Sequence, residues 1–402
     1  MSFSFLFRKI NVGFNRKVPF AYIVWFAFAL IAVLAEFFHH SFNNYLIFKN
    51  VFWHVIHQKN LYLAYPAEYE DHNYYGPVFS FIIAPFAVLP NFLGVIFWVM
   101  ANATLLFVAI RQLPFREKGI STILLISAIE MMTSSHNVQF NCMIAASIII
   151  SYTFINKGKD FWGTFFIALG FLAKIYGIVG ILFFVFSKNK PKFIGFFIFW
   201  LIVLFLLPML ISSPGFIIQT YQDWFHSLTL KNIQNINIAS VNFQDLTVMG
   251  IIRRVFRYDQ LSSLSVILPA ILLLGLPLLR FNLLRNSVFQ LDYLCLSLIS
   301  VVIFSSSAES ATYVIAMVGV SIWFVTNWHR HKKWYIIVLV AALFITSLGS
   351  TDLVPQFIKH NIIRAYALKA LPCFIVWLIL IYDVAFKSKS ELQTPELLLR
   401  KI

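Results

Sequence analysis

Three carboxylates lie within four residues of one another, at Glu68, Glu70 and Asp71 in the stretch Ala67-Glu68-Tyr69-Glu70-Asp71-His72. A carboxylate in a loop can take the proton of a hydroxyl as its oxygen attacks an electrophilic carbon, and it can ligate a divalent cation. Solvated loop charges give the same pattern. What favours chemistry is the setting, between an aromatic-rich helical stretch and an apolar run that opens with Tyr75-Gly76-Pro77. His54 and His57 lie three apart just upstream, a weak metal signal because zinc sites draw on closed His and Cys sets. No metal ligand is assigned and no cofactor is expected.

Lys174 stands inside an apolar run, in Phe171-Leu172-Ala173-Lys174-Ile175-Tyr176. An ionised side chain at the centre of a membrane helix costs at least ~2.5 kcal/mol on insertion scales, so it marks a functional site by default unless it snorkels to an interface. Glu309 and Glu36 sit at the ends of apolar runs. Arg253, Arg254 and Arg257 suit a phosphate, since guanidinium and phosphate match through paired hydrogen bonds; contact with lipid headgroups is the alternative reading. No Walker motif, nucleophile elbow or paired-cysteine motif occurs. The three cysteines, Cys142, Cys295 and Cys373, are far apart within apolar runs.

The elements that position these residues follow from the composition. The chain has 402 residues, 60% hydrophobic and 12% charged, with mean hydropathy +0.81, which excludes a soluble globular domain. Apolar runs of about 16–22 residues recur from end to end, the length that spans a hydrocarbon core of roughly 30 Å. The expected fold is an all-α polytopic membrane protein of about twelve transmembrane helices (range about ten to thirteen), a single integral membrane domain over 1–402. The net charge of +15 is accounted for by positive-inside loops, and no basic face on a soluble module supports nucleic-acid binding. The basic segments, including 188–192, 280–285, 329–333 and 387–389, predict cytoplasmic loops, with both termini cytoplasmic and the protein in the plasma (inner) membrane.

Three polar loops then lie on the far side, the long 39–76 and 212–262 and a third over 351–366. Within the first, Tyr45, Phe48, Phe52, Val55 and Ile56 form an apolar stripe at helical spacing, as in an amphipathic helix lying in the interface. A short span is expected at 77–89 and a long one, carrying Lys174, at 161–186. Between two short spans sits the polar break Thr133–Asn141, Thr-Ser-Ser-His-Asn-Val-Gln-Phe-Asn, as in broken helices lining a cavity.

The stretch Asn43 to Tyr62, followed by Tyr75-Gly76-Pro77 through Pro90, resembles the first lumenal loop and second span of glycosyltransferase family 87. Trp98 and Asn102, Val138-Gln139-Phe140-Asn141, Ala173-Lys174-Ile175-Tyr176 and Trp224 resemble further motifs of that family, and the likeness runs over most of the chain. The resemblance implies a GT-C-like architecture. It also implies inverting transfer of a hexosyl, specifically mannosyl, group from a polyprenyl-phosphate sugar to a lipid or glycan acceptor in cell-envelope assembly, at the extracytoplasmic face. It points to Asn44, Tyr75, Gln139, Asn141, Lys174 and Tyr176 as substrate-binding residues, beside Arg253 and Arg254, which join them on their match to a phosphate. The family's catalytic Asp falls on Asn43 or Asn44, and an amide cannot act as a base. Either another carboxylate serves, with Asp71, Glu68 and Glu309 as candidates beside Glu70 and Glu36, or the chain is a non-catalytic member. A transporter or flippase of lipid-linked saccharide is the reading from another class; the internal repeats expected of one are not found.

Overall fold

The computed structural model describes residues 7–11, 17–236, 245–258, 261–327 and 333–392. Parts of the basic run 329–333, of the loop 212–262 and of the C-terminal tail therefore lie outside the described residues. A short antiparallel pair, β1 (Lys9–Asn11) with β2 (Lys17–Pro19), precedes the helices. They are α1 (Phe20–Phe38), α2 (Asn43–Ile56), α3 (Phe79–Ala87), α4 (Asn91–Arg111), α5 (Glu117–His136), α6 (Asn141–Asn156), α7 (Asp160–Ala173) and α8 (Lys190–Leu206). After them come α9 (Pro214–Ile236), α10 (Val248–Phe256), α11 (Leu264–Gly275), α12 (Ser287–Ile303), α13 (Tyr313–Asn327), α14 (Lys333–Ala341), α15 (Gln356–Ile358) and α16 (Leu371–Phe386).

Among the described residues, six helical stretches are long and apolar enough to cross a membrane: Phe20–Phe38, Asn91–Arg111, Lys190–Leu210, Ser310–Asn327, Lys333–Ser350 and Leu368–Phe386. Five further apolar helices are shorter: Asn141–Asn156, Asp160–Ala173, Ile175–Phe186, Leu264–Leu279 and Ser287–Ile303. The chain is thus a helical membrane protein. Two expected spans take a different form. The second, α3, has nine residues, about 14 Å of helix, which is half a hydrocarbon core. The sixth is interrupted at Lys174, where α7 ends and a 3-10 helix, Ile175–Phe186, begins.

Two compact units divide the chain. The first, here the loop unit, comprises 29–109 and 132–233; the second, the C-terminal unit, comprises 1–28, 110–131 and 234–402.

In the loop unit, α2 buries Tyr45, Phe48 and Val55 of the apolar stripe together with Ile47, Val51 and His54. Phe48, Tyr75, Phe79, Trp98 and Phe140 make one aromatic cluster, with Trp98 stacked on Phe140 at 5.8 Å and Phe48 edge-on to Tyr75 at 4.9 Å. Rings in such edge and offset contacts gain about 0.5–1.5 kcal/mol per pair beyond the area they bury.

In the C-terminal unit, α12 and α13 are almost wholly buried, and Trp377 of α16 donates its indole N–H to Ser300 Oγ at 2.8 Å. A buried ion pair lies in the same unit. Lys369 Nζ is 2.8 Å from Glu130 Oε1 and reaches Ser310 Oγ at 2.8 Å and Ser350 Oγ at 2.9 Å. Neither charged side chain is more than 1% exposed. A pair removed from water to this degree is held by its mutual charge and by the hydroxyls that complete the ammonium's three bonds.

Candidate active site

The polar break between α5 and α6 organises the loop unit. Each of its residues from His136 onward, Phe140 excepted, hydrogen-bonds a different element. His136, the last residue of α5, has Nδ1 2.9 Å from Glu36 Oε1 at the end of α1. The Asn137 carbonyl accepts from Asn44 Nδ2 in the first turn of α2 at 2.8 Å. The Val138 carbonyl accepts from Trp98 Nε1 of α4 at 3.0 Å. Gln139 Oε1 accepts from the Tyr75 hydroxyl at 3.1 Å. Asn141 Oδ1 accepts from Lys174 Nζ at 2.7 Å. Val138 holds φ at +51°, a conformation that a β-branched residue rarely adopts and that surrounding contacts must enforce.

Lys174 is placed by a break in its own helix. Its backbone is extended, φ −153° and ψ 110°, and the chain doubles back so that Gly177 packs on Gly170. A Cβ on Gly177 would lie 2.3 Å from the Gly170 carbonyl carbon, so no larger residue permits this approach. The segment Tyr74-Tyr75-Gly76 docks on the end of α7 through the Gly76 N–H to the Ala173 carbonyl, 3.0 Å. A Cβ on Gly76 would fall 2.0 Å from the Leu172 carbonyl oxygen. This docking brings the Tyr75 ring 5.4 Å from Lys174 Nζ, with the Tyr176 ring at 5.0 Å. A cation placed over aromatic faces is attracted by the ring quadrupoles. Tyr74 is held by the buried Trp224, whose Nε1 donates to its carbonyl at 2.9 Å. The Tyr74 ring faces Lys231 Nζ at 4.6 Å.

The loop from His57 to Val78 is pinned above α2 by amides and by one charged cluster. Asn43 clasps Glu70 in both directions, Nδ2 to the Glu70 carbonyl at 2.7 Å and the Glu70 N–H to Oδ1 at 2.8 Å. Such a two-way bond needs an amide, because a carboxylate has no proton to donate. Glu68 is held by His54 Nε2 at 2.7 Å and by Lys59 Nζ at 3.2 Å. Burial works to raise the Glu68 pKa, but the hydrogen bonds and charges of His54 and Lys59 outweigh it and hold the carboxyl below its usual value. The His54 imidazole, closed in by Tyr65 and Tyr69, is pushed down by burial against the opposing pull of Glu68. The pair is therefore a neutral imidazole donating to an ionised carboxylate. Asp71 is 54% exposed at its side chain and accepts from the His72 N–H at 2.8 Å.

Of the residues singled out by sequence, the loop unit thus gathers Asn44, Tyr75, Gln139, Asn141, Lys174 and Tyr176 around one segment, with Glu68 and Asp71 in the adjoining loop. Arg253, Arg254 and Glu309 fall in the C-terminal unit. Arg253 is 1% exposed, with its two terminal nitrogens engaged by Asp245 Oδ2 at 2.6 Å and by Leu261 and Ser263, and its Nε buried without a partner among the described residues. Arg254 donates to the Arg364 carbonyl at 3.1 Å. Glu309 precedes the short 3-10 helix Ser310–Thr312 with an extended backbone and no side-chain bond to that helix's start. His57, at the end of α2, is exposed while His54 is buried, so the two do not share a site. Among the described residues, no three His, Cys, Asp or Glu side chains come together as a metal would require.

Sequence reasoning passed over His136, Glu130 and Lys369. Glu130 lies inside an apolar run by the same criterion that singled out Lys174 and was legible in principle. His136 was visible only as part of a polar break, because nothing local tells which residue of such a break meets a carboxylate a hundred residues away.

Comparison with curated proteins gave no match. The chain matches the family model described as glycosyltransferase family 87 over residues 73–351. That span includes Tyr75, the break, Lys174 and Trp224, and it takes in most of the chain, which therefore belongs to glycosyltransferase family 87.

Proposed function

We propose that this glycosyltransferase moves a hexosyl group, specifically mannosyl, from a polyprenyl-phosphate sugar to a lipid or glycan hydroxyl at the extracytoplasmic face of the plasma membrane, with inversion. Both termini are then cytoplasmic, and α2 lies along the interface with its polar side toward the loop. The observation that carries this reading is Lys174, a cation at a helix break, held by Asn141 and framed by two tyrosine rings. In this reaction the bond between the anomeric carbon and the phosphate oxygen breaks, and the electron pair leaves on the phosphate. A preorganised ammonium in a water-poor site stabilises the negative charge that develops there. The half-buried Tyr176 ring offers a flat face of the kind that stacks on a sugar, while Tyr75, buried among Phe48, Phe79 and Phe140 with its hydroxyl on Gln139, backs the ammonium. Asn44 does not act as a base; its amide ties α2 to the break.

The test is transfer by purified protein in lipid nanodiscs. Polyprenyl-phosphate carrying radiolabelled mannose is the donor, and an alkyl mannoside with a membrane glycolipid extract supplies acceptors. Wild type is expected to transfer label. Lys174→Met is expected to lose about 10²–10³ in kcat, the usual cost of removing one stabilising donor. Wild type that leaves the donor intact, or Lys174→Met that retains full kcat, would overturn the proposal.

A further inference from the structure

We infer that His136, backed by Glu36, accepts the proton of the incoming hydroxyl; this rests on the transfer reaction proposed above. The carboxylates of the adjoining loop are poorly suited to that task. Both Glu68 oxygens are engaged by His54 and Lys59, and the same partners weaken it as a base. Asp71 faces solvent and closes a turn on its own chain. Glu70 is exposed, with its backbone clasped by Asn43.

The pairing at the end of α5 has the geometry of an activated base. Glu36 Oε1 lies 2.9 Å from His136 Nδ1, with side-chain exposures of 20% and 34%. A carboxylate at Nδ1 assigns the ring proton to that nitrogen and leaves the lone pair on Nε2. Among the described residues, Nε2 has no hydrogen-bond partner. Imidazole is intrinsically a stronger base than carboxylate and works near neutral pH. His136 is the last residue of α5, so its ring lies at the carbonyl end of that helix with Glu36 beside it.

Position supports the same assignment. His136 is five residues from Asn141, the residue that holds Lys174. Even a fully extended chain of that length reaches only about 18 Å. This one is turned, with the Val138 N–H bonded to the Ser135 carbonyl at 3.0 Å and the Gln139 N–H to the Ser134 carbonyl at 3.0 Å. One segment therefore carries a base near its start and anchors a cation at its end. Displacement with inversion needs those two groups on opposite sides of the reacting carbon. In the step, the acceptor oxygen bonds to the anomeric carbon while its proton moves to His136 Nε2. The carbon–oxygen bond to phosphate breaks, with its electron pair going to the phosphate. The proton leaves the imidazolium for water once the product departs. His136 is the catalytic residue and Glu36 a positioning residue.

The experiment uses the same full-length protein, donor and acceptors. His136→Gln keeps a hydrogen bond to Glu36 but has no basic nitrogen, and His136→Ala opens a space for added imidazole. Both are expected to lower kcat by about 10² or more with KM nearly unchanged, the range for loss of a general base. Imidazole in the buffer is expected to raise the kcat of His136→Ala and not that of His136→Gln. Glu36→Gln is expected to lower kcat about tenfold, weaken the imidazole rescue when combined with His136→Ala, and be restored by Glu36→Asp; partial losses of this size follow the removal of a group that orients a base. Full kcat in His136→Gln, or loss in His136→Ala that imidazole does not reverse, would overturn the assignment while active wild type leaves the transfer reaction standing. Inactive wild type would overturn both.

Discussion

His54 sets how the first loop responds to acid. Burial holds its imidazole below the ordinary 6.5. Glu68 is held below 4.5, the effect of its burial being outweighed by His54 and Lys59. Both groups bind protons more readily in the unfolded chain, so folding stability is complete above the ordinary imidazole value and falls as pH drops through and below it, then further through the carboxylate range. The melting temperature of the solubilised protein is therefore expected to be lower at about pH 5 than at about pH 7.5. His54→Gln, which keeps a donor to Glu68 but does not titrate, is expected to show a smaller drop. At this scale, legibility divided by whether a side chain's partner is near in sequence. Lys174 stood out against its apolar neighbours, and Asn43 and Asn44 could be named as amides where a base was expected. What they do instead, clasping Glu70 and Asn137, depends on contacts 27 and 93 residues away.

At the scale of elements, the decisive feature is the close approach of the segment before α3 to the end of α7. Gly76→Ala would drive a methyl to 2.0 Å from a backbone oxygen. The expected result is a loss of about 1–3 kcal/mol in stability, as for other overpacking changes, together with weakened sugar transfer, because Tyr75 moves with its neighbour. Thermal denaturation and the transfer assay read the two effects separately. Of the five members of the α2 stripe, Tyr45, Phe48 and Val55 are buried, while Phe52 and Ile56 are half-buried and His54 is buried in their company. The interruption at Lys174 was not legible, since an apolar run has the same composition whether it is α-helical throughout or passes through an extended residue into a tighter helix. The glycines at 170 and 177 were the local sign of it. The shortness of α3 was legible, because Gly76-Pro77 and Pro90 bound its apolar run to 77–89, and the helix trims that run to Phe79–Ala87.

For the whole molecule, apolar content fixed the class and family-like motifs fixed the relatives, while the placement of charges inside helices had to come from coordinates. Lys369 and Glu130 illustrate the consequence for stability. Lys369→Met would leave Glu130 buried and unpaired, and the expected cost is about 3–5 kcal/mol. The double variant Lys369→Met with Glu130→Gln removes both charges and is expected to regain most of that loss. Denaturation of the purified proteins in mixed micelles measures both. If the single and double variants melted together, the ion pair would have no part in holding the C-terminal unit.

The order of the tethers on the break between α5 and α6 carries a consequence for biosynthesis. Glu36, Asn44, Tyr75 and Trp98 all precede the break in the chain, and Lys174 alone follows it. A ribosome delivers residues from the N-terminus onward, so four of the five attachments are available the moment the break emerges. The ammonium arrives afterwards, at a scaffold whose other moorings are already made.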